Sequence, residues 1–206
     1  MSQIKSLCLD TPPLGEGGLS KLFSWRNDPR IYKWCRQYEP ISWHQHESYW
    51  EKVQKDPNIK MYGIRDGNNL VGVCGLTSID WVNRRAEFSL YIASEYQGNG
   101  YGEAALRLLV EHGFNVLNLN SIWGEAFDGN PAINMFKKVG FIEEGRRRQF
   151  YFREGKYIDA ILFSLMRSEY AMGAVGSLDS KSSSNTTRDA NAPDIYRTLG
   201  EIQTEC

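Results

Sequence analysis

Gln97-Gly-Asn-Gly-Tyr-Gly102 stands between a strand-like run, Glu87-Phe-Ser-Leu-Tyr-Ile-Ala93, and an amphipathic helix-like run, Glu103-Ala-Ala-Leu-Arg-Leu-Leu-Val-Glu-His112. A glycine-rich turn feeding the first turn of a helix leaves several backbone N–H groups unpaired and aimed at one point, where the macrodipole adds partial positive charge. Such a turn cradles a phosphate or pyrophosphate. Glycine supplies the positive φ and the close approach that this requires. Neither standard nucleotide motif fits these six residues. A P-loop wants Gly-Lys-Ser/Thr at the helix start, and this chain has Gly102-Glu103-Ala104. A dinucleotide fingerprint follows the first strand with Gly-x-Gly-x-x-Gly spacing, whereas here Gly98-x-Gly100-x-Gly102 lies halfway along the chain.

Outward from the loop, the pattern of elements fills in. Ile4 to Leu9 reads as a short strand, followed by a turn-rich entry to helical material from about Leu19 to Cys35. Ser42 is a candidate cap for a second helix reaching about Val53. Strand-like runs follow at Lys60 to Arg65, Leu70 to Ser78 and Arg85 to Ala93, with Asp66-Gly67-Asn68-Asn69 a hairpin turn between the first two. The loop helix, Tyr101 to about Phe114, places Ala105, Leu108, Leu109 and His112 on one face. Beyond it come a strand at Ser121 to Ala126, a helix at Pro131 to Val139, and a hairpin of Phe141 to Phe152 with Tyr157 to Ser168. The fold class is therefore α/β in the α+β sense: a mixed, mostly antiparallel sheet of about seven strands flanked by about four helices, not a doubly wound one.

Composition changes after about Met172. The stretch from Ser177 to Ala192 is rich in Ser, Thr, Asn and Asp, too poor in apolar side chains to offset the entropy cost of ordering. This divides the chain into a folded domain at 1–170, a polar linker at 171–192 and a tail at 193–206, where Ile195, Leu199 and Ile202 form one stripe of a short amphipathic helix. From 171 onward Lys181, Arg188 and Arg197 stand against Asp179, Asp189, Asp194, Glu201 and Glu205, a balance of −2, while the whole 206-residue chain carries −1. The domain is thus nearly neutral, which argues against nucleic acid or an anionic membrane as partner. Cys8, Cys35, Cys74 and Cys206 show no paired spacing, and no Cys or His cluster suggests a metal. The first residues lack the basic head and apolar stretch of a signal peptide, and no apolar run is long enough to cross a bilayer, so a cytoplasmic protein is expected.

Gln97-x-x-Gly100-x-Gly102 matches the Gln/Arg-x-x-Gly-x-Gly/Ala signature of the GNAT acetyltransferase superfamily, and more of the chain resembles it. Ala86 to Ile92 looks like the family's fourth strand, and Asn130-Pro-Ala-Ile-Asn-Met-Phe-Lys-Lys-Val-Gly-Phe141 like the helix and Gly-Phe that close the cofactor site. The segments around Glu144-Gly145-Arg146 and Gly155 to Asp159 resemble the closing hairpin of the branch that includes ribosomal-protein and amino-sugar acetyltransferases. Trp25-Arg26-Asn27-Asp28-Pro29, with Ile41-Ser42, His46 and Trp50, resembles the pseudaminic acid pathway branch. The resemblance implies acetyl-CoA as co-substrate. It places the pyrophosphate on Gln97, Gly98, Asn99, Gly100, Tyr101, Gly102 and Glu103, and the pantetheine arm beside Leu90, Tyr91 and Ile92, where a bulge in the fourth strand splays it from the fifth. Asn130 and Phe136 fall in the helix that completes the cofactor site.

The chemistry follows from the acceptor. A primary amine with a pKa of about 10 is protonated at neutral pH, so a base must take its proton. The resemblance puts Glu87 in that role; the alternative is a solvated or ion-paired strand carboxylate. Alternation sends Glu87, Ser89 and Tyr91 to one face and Phe88, Leu90 and Ile92 to the other. Many family members carry a Tyr where this chain has Phe136, which leaves the thiolate's proton donor open; a thiol pKa of about 8.5 lets coenzyme A leave as the thiolate. Arg26, Arg146, Arg148 and Tyr151 are candidates for acceptor binding, with a solvated basic edge as the other reading of the arginines. The acceptor is a small amine such as an amino sugar; a protein N-terminus or lysine, or a non-catalytic acyl-CoA-binding module, is the alternative. A monomer or homodimer is expected. His44 and His46 read as helix-surface residues.

Overall fold

The computed structural model describes Ile4 and residues 6–171. The proposed linker and tail lie outside the described residues, apart from Ala171. Seven strands form one sheet: β1 (Leu7–Asp10), β2 (Lys60–Asp66), β3 (Asn69–Asp80), β4 (Arg85–Ile92), β5 (Ser121–Phe127), β6 (Ile142–Arg153) and β7 (Lys156–Met166). Their order is β1-β2-β3-β4-β5-β7-β6. Every neighbouring pair is antiparallel except β4 and β5, which are parallel and joined through a helix.

Five α-helices, one a single turn, flank the sheet: α1 (Glu16–Arg26), α2 (Pro29–Tyr32), α3 (Trp43–Lys55), α4 (Tyr101–Asn115) and α5 (Ala132–Val139). The helical material expected from about Leu19 to Cys35 is divided into two helices, α1 and α2. Pro29 disfavours helical backbone at Asp28, whose side chain instead accepts from the Arg30 N–H and caps α2. Ser42 caps α3 as anticipated, through a reciprocal capping box with Gln45. At the end of α5, Gly140 adopts φ 114° and the N–H of Phe141 returns to the Phe136 carbonyl, so the chain turns sharply and buries Phe141.

Two apolar clusters divide the flanks. Leu106, Leu109, Val110 and Phe114 of α4 pack with Phe136 and Val139 of α5 against Phe88, Ile92, Ile122 and Phe163 of the sheet. On the other flank, Leu22 and Trp25 of α1, Ile31 of α2, and Trp50 and Val53 of α3 cover Met61, Leu70, Val73 and Ala93. His46 belongs to this interior and not to the surface: it is 2% exposed, its ring lies against Phe23, Trp43 and Trp50, and Nε2 lies 3.1 Å from the Leu19 carbonyl oxygen. Burial lowers its pKa.

Candidate active site

The site starts where the β4–β5 ladder ends. Parallel pairing runs through Arg85↔Ser121, Ala86↔Ile122 and Glu87↔Trp123 and then stops, although both strands continue. The expected bulge in β4 is absent. Pairing of β4 with β3 is unbroken from Glu87↔Thr77 to Ile92↔Gly72, and the irregularity of that ladder lies in β3, where Ser78 has φ 50°. The two strands part because the β4–β5 ladder simply ceases. Ala93 donates to the Val71 carbonyl of β3, so by alternation Leu90 and Ile92 turn their N–H and C=O groups to the open side. The Ile92 carbonyl there accepts from Gln97 Nε2 at 2.9 Å. Tyr91 instead directs its side chain to the α1–α3 flank, where burial raises its pKa.

Beyond the open edge lies the loop. Asn99 Nδ2 donates to the carbonyls of Tyr96 and Gln97, each at 3.2 Å, and fixes the turn. Gly100 adopts φ 85° as the residue before α4, and no side chain caps that helix. The first amides of α4 have no carbonyl within the helix to pair with, and no side chain takes that place. Gly102 lets Met135 and Ile92 approach: a Cβ there would lie 3.0 Å from Met135 Sδ. Glu103 pairs with Arg107 at 3.0 Å, and the Tyr101 hydroxyl donates to Asp66, so both contribute to the loop through the backbone. Asn130 Oδ1 accepts from the Ala132 N–H at the start of α5. Phe136 is buried, edge-on to Phe88 and Phe163.

On the opposite face, β4 and β5 present Glu87 and Glu125. Their side chains are only 10% and 4% exposed, and Arg36 lies between them, donating from Nη2 to Glu87 and from Nε to Glu125 at 2.7 Å. Burial opposes the Arg36 charge, but hydrogen bonds and attraction from Glu87 and Glu125 prevail and raise its pKa. Glu125 also receives Arg147 Nη1 at 3.2 Å and the Tyr151 hydroxyl. Burial and the bond to Glu125 raise the Tyr151 pKa. The Arg153 guanidinium lies over the rings of Tyr38, Phe127 and Tyr151.

The structure thus brings together Glu87 and Tyr151 of the anticipated residues, and separates others. Arg146 lies on the far face of β6 with Asp128 and Asp159, at 2.5 and 3.1 Å, and Arg148 is exposed beside Asp159. Arg147, on the alternate face, is the arginine of that run that reaches Glu125. Arg26 donates to the Gln37 carbonyl, and its Nη1 is buried without a partner among the described residues. Arg36 and Glu125 went unnoticed in the sequence. A signal existed for Glu125, a carboxylate between Trp123 and Phe127 on one face of a central strand. Among the described residues no helix is long and apolar enough to cross a membrane, and no group of three His, Cys, Asp or Glu could hold a metal ion.

Residues 12–142 match the family model described as the acetyltransferase (GNAT) domain. The chain is 28% identical over 159 residues to a spermidine N(1)-acetyltransferase of Vibrio cholerae, covering 76% of this chain and 92% of that one. It is 33% identical over 122 residues to a putative ribosomal N-acetyltransferase of Bacillus subtilis, covering 59% and 67%. The crystal structure of spermidine N-acetyltransferase from Vibrio cholerae in complex with CoA and spermine superposes with a TM-score of 0.73 at 28% identity, covering 80% of this chain and 98% of that one. The chain belongs to the GNAT acetyltransferase family. It is an acyltransferase of the N-acetyltransferase class, and acetyl-CoA is the co-substrate of that chemistry.

Proposed function

We propose that the protein transfers the acetyl group of acetyl-CoA to the primary amine of a small acceptor, an amino sugar being the acceptor class that fits best, by direct attack in a ternary complex. The observation that carries this is the placement of Glu87, a buried carboxylate on the last paired rung before β4 and β5 part. The open edge of β4 suits the amide groups of a pantetheine arm as an added strand would, and the α4 amides suit its pyrophosphate. The amine enters from the Glu87 face. Its nitrogen attacks the thioester carbon as the carbonyl oxygen takes up charge, and an N–H from the open side of β4 near Leu90 or Ile92 stabilises that oxygen. The C–S bond then breaks and coenzyme A leaves as a thiolate. Before that attack the ammonium gives one proton to Glu87, directly or through water, and the second proton leaves the nitrogen for water as the thiolate departs; Arg36 engages one Glu87 oxygen, and among the described residues the other receives no donor. Holding amine and thioester together supplies much of the rate.

A linear polyamine is the second reading, favoured by the similarity to spermidine acetyltransferases and by the two carboxylates of the cleft. The charge balance weighs against it: Arg36 and Arg147 already offset Glu87 and Glu125. The deciding experiment measures coenzyme A release, with intact-mass detection of products, over amino sugars, polyamines and N-terminal peptides. In parallel, Glu87→Gln should retain acetyl-CoA binding and lose about 10²–10⁴-fold in kcat. Undiminished transfer by that variant removes Glu87 as base.

A further inference from the structure

Arg36 enters the cleft from outside the sheet. It stands in the segment 33–42 between α2 and α3, and its side chain is half exposed while both carboxylates that it serves are nearly buried. The root of the segment is fixed independently of that contact. Arg153 donates to the Arg36 carbonyl at 2.6 Å, Arg26 to the Gln37 carbonyl at 2.9 Å, and Asn27 exchanges two hydrogen bonds with the backbone of Ile41. The Tyr38 hydroxyl donates to Glu154 at 2.6 Å. A long, half-solvated arm on a pinned base can leave the carboxylates without unfolding the loop.

Glu87 and Glu125 come from strands that diverge, and a single guanidinium bridges them. Among the described residues Arg36 is the only cation within ion-pair distance of Glu87, whereas Glu125 keeps Arg147 and Tyr151 in addition. Two buried carboxylates without that bridge would repel each other and attract any cation of suitable reach. A protonated amine carries the same unit charge as the guanidinium and, like it, only donates hydrogen bonds, so it competes for the same oxygens.

We propose that Arg36 is a built-in counter-ion that sets the charge class of the acceptor: it holds the place of an ammonium between Glu87 and Glu125, disfavouring polycationic amines and admitting singly charged or anion-bearing ones. This rests on reading the Glu87 face as the amine site. An amine with one cationic centre, delivered to the unoccupied Glu87 oxygen, loses its proton there and does not need Arg36 to withdraw. A polyamine keeps further charges after that step, and they meet a cleft whose carboxylates are already matched.

The test is calorimetric titration of spermidine into the full chain, comparing wild type with Arg36→Ala, Arg36→Met, Arg36→Lys and the double variant Arg36→Met with Glu125→Gln. Each protein is first checked for cooperative melting and acetyl-CoA binding. Arg36→Met keeps the apolar stem and serves if truncation to Ala unfolds the segment. Spermidine should bind at least tenfold more tightly to the Met and Ala variants, near wild-type affinity to the Lys variant, and lose the gain in the double variant. Equal or weaker binding by folded Arg36→Met overturns the proposal. In turnover, the ratio of kcat/KM for spermidine to that for glucosamine should rise at least tenfold in Arg36→Met; an unchanged ratio in an active enzyme also overturns it. If no amine is turned over by any variant while spermidine binding follows the expected pattern, amine transfer is refuted and the counter-ion role stands.

Discussion

The two flanks of the sheet are built to different standards. Under α4 and α5 the interior is a continuous apolar cluster, with Phe114, Leu106 and Leu109 fully buried and three phenylalanine rings around Phe136. Under α1, α2 and α3 the cluster is smaller and contains polar groups: His46 is buried, and Trp50 Nε1 and Arg26 Nη1 lie buried without partners among the described residues. Buried polar atoms without partners cost free energy. The flank that bears them is also the one that covers the Glu87 face. The wholly apolar cluster thus backs β4 and the amino end of α4, and the more polar one lies on the face proposed to receive the acceptor.

This contrast can be broken most directly in the α4 cluster. Phe114→Ala should cost about 3–5 kcal/mol in denaturant unfolding, because the helix and sheet cannot collapse into the space. Trp43→Ala, on the other flank and 38% exposed, should cost much less. Equal losses would show that the two flanks are equally committed to stability. A smaller effect sharpens the site itself. Gly100→Ala forces a side chain into left-handed backbone, at about 1–2 kcal/mol, and should raise KM for acetyl-CoA more than it changes KM for the amine. Gly100→Asn should be milder, since Asn tolerates that conformation.

The mildest test compares one histidine from each flank. Burial lowers the pKa of both His46 and His112. The unfolded chain therefore takes up these protons first as pH falls, so stability is full above the ordinary histidine pKa of about 6.5 and declines below it, toward the folded values. Thermal melts between pH 7.5 and pH 5, in steps, should show Tm falling by a few degrees. His46→Phe should remove part of this slope while keeping ring contacts with Trp43 and Trp50. His112→Phe should remove its own share, with the loss of the 2.9 Å contact to the Tyr62 hydroxyl. A slope unchanged in both variants would assign the acid sensitivity elsewhere.

These contrasts also explain what could be read from the chain beforehand. Features set by neighbours in sequence were legible: the Gly67 hairpin, the Ser42 cap, the Gly100 loop and the strand alternation that isolates Glu87 from Phe88. The α1–α2 break was legible in principle, since Asp28-Pro29 combines a cap with a residue that excludes helix before it. So was the burial of His46, which shares a helical stripe with Trp50 and Val53. Arg36 was not legible. It is 51 residues from Glu87 and 89 from Glu125, in an irregular segment with no periodicity to orient it. Alternation separated Arg147 from Arg146 and Arg148 correctly, but parity alone does not say which face meets the cleft.

The place where the β4–β5 ladder stops has a further consequence. From Phe88 to Ile92 the chain carries a sheet edge in the middle of its sheet, and an open edge is ordinarily a template for unwanted pairing. Here the edge lies inside the sheet, with β5 as its neighbour in strand order, and not at the sheet's rim. On the proposed reading, the molecule is an incomplete sheet whose missing strand the co-substrate would supply. Anything that fills that place in the folded state alone adds its binding free energy to stability, about 2.7 kcal/mol at a ligand concentration 100 times Kd. In a cell, the supply of thioester would then govern how long the protein persists as well as how fast it works.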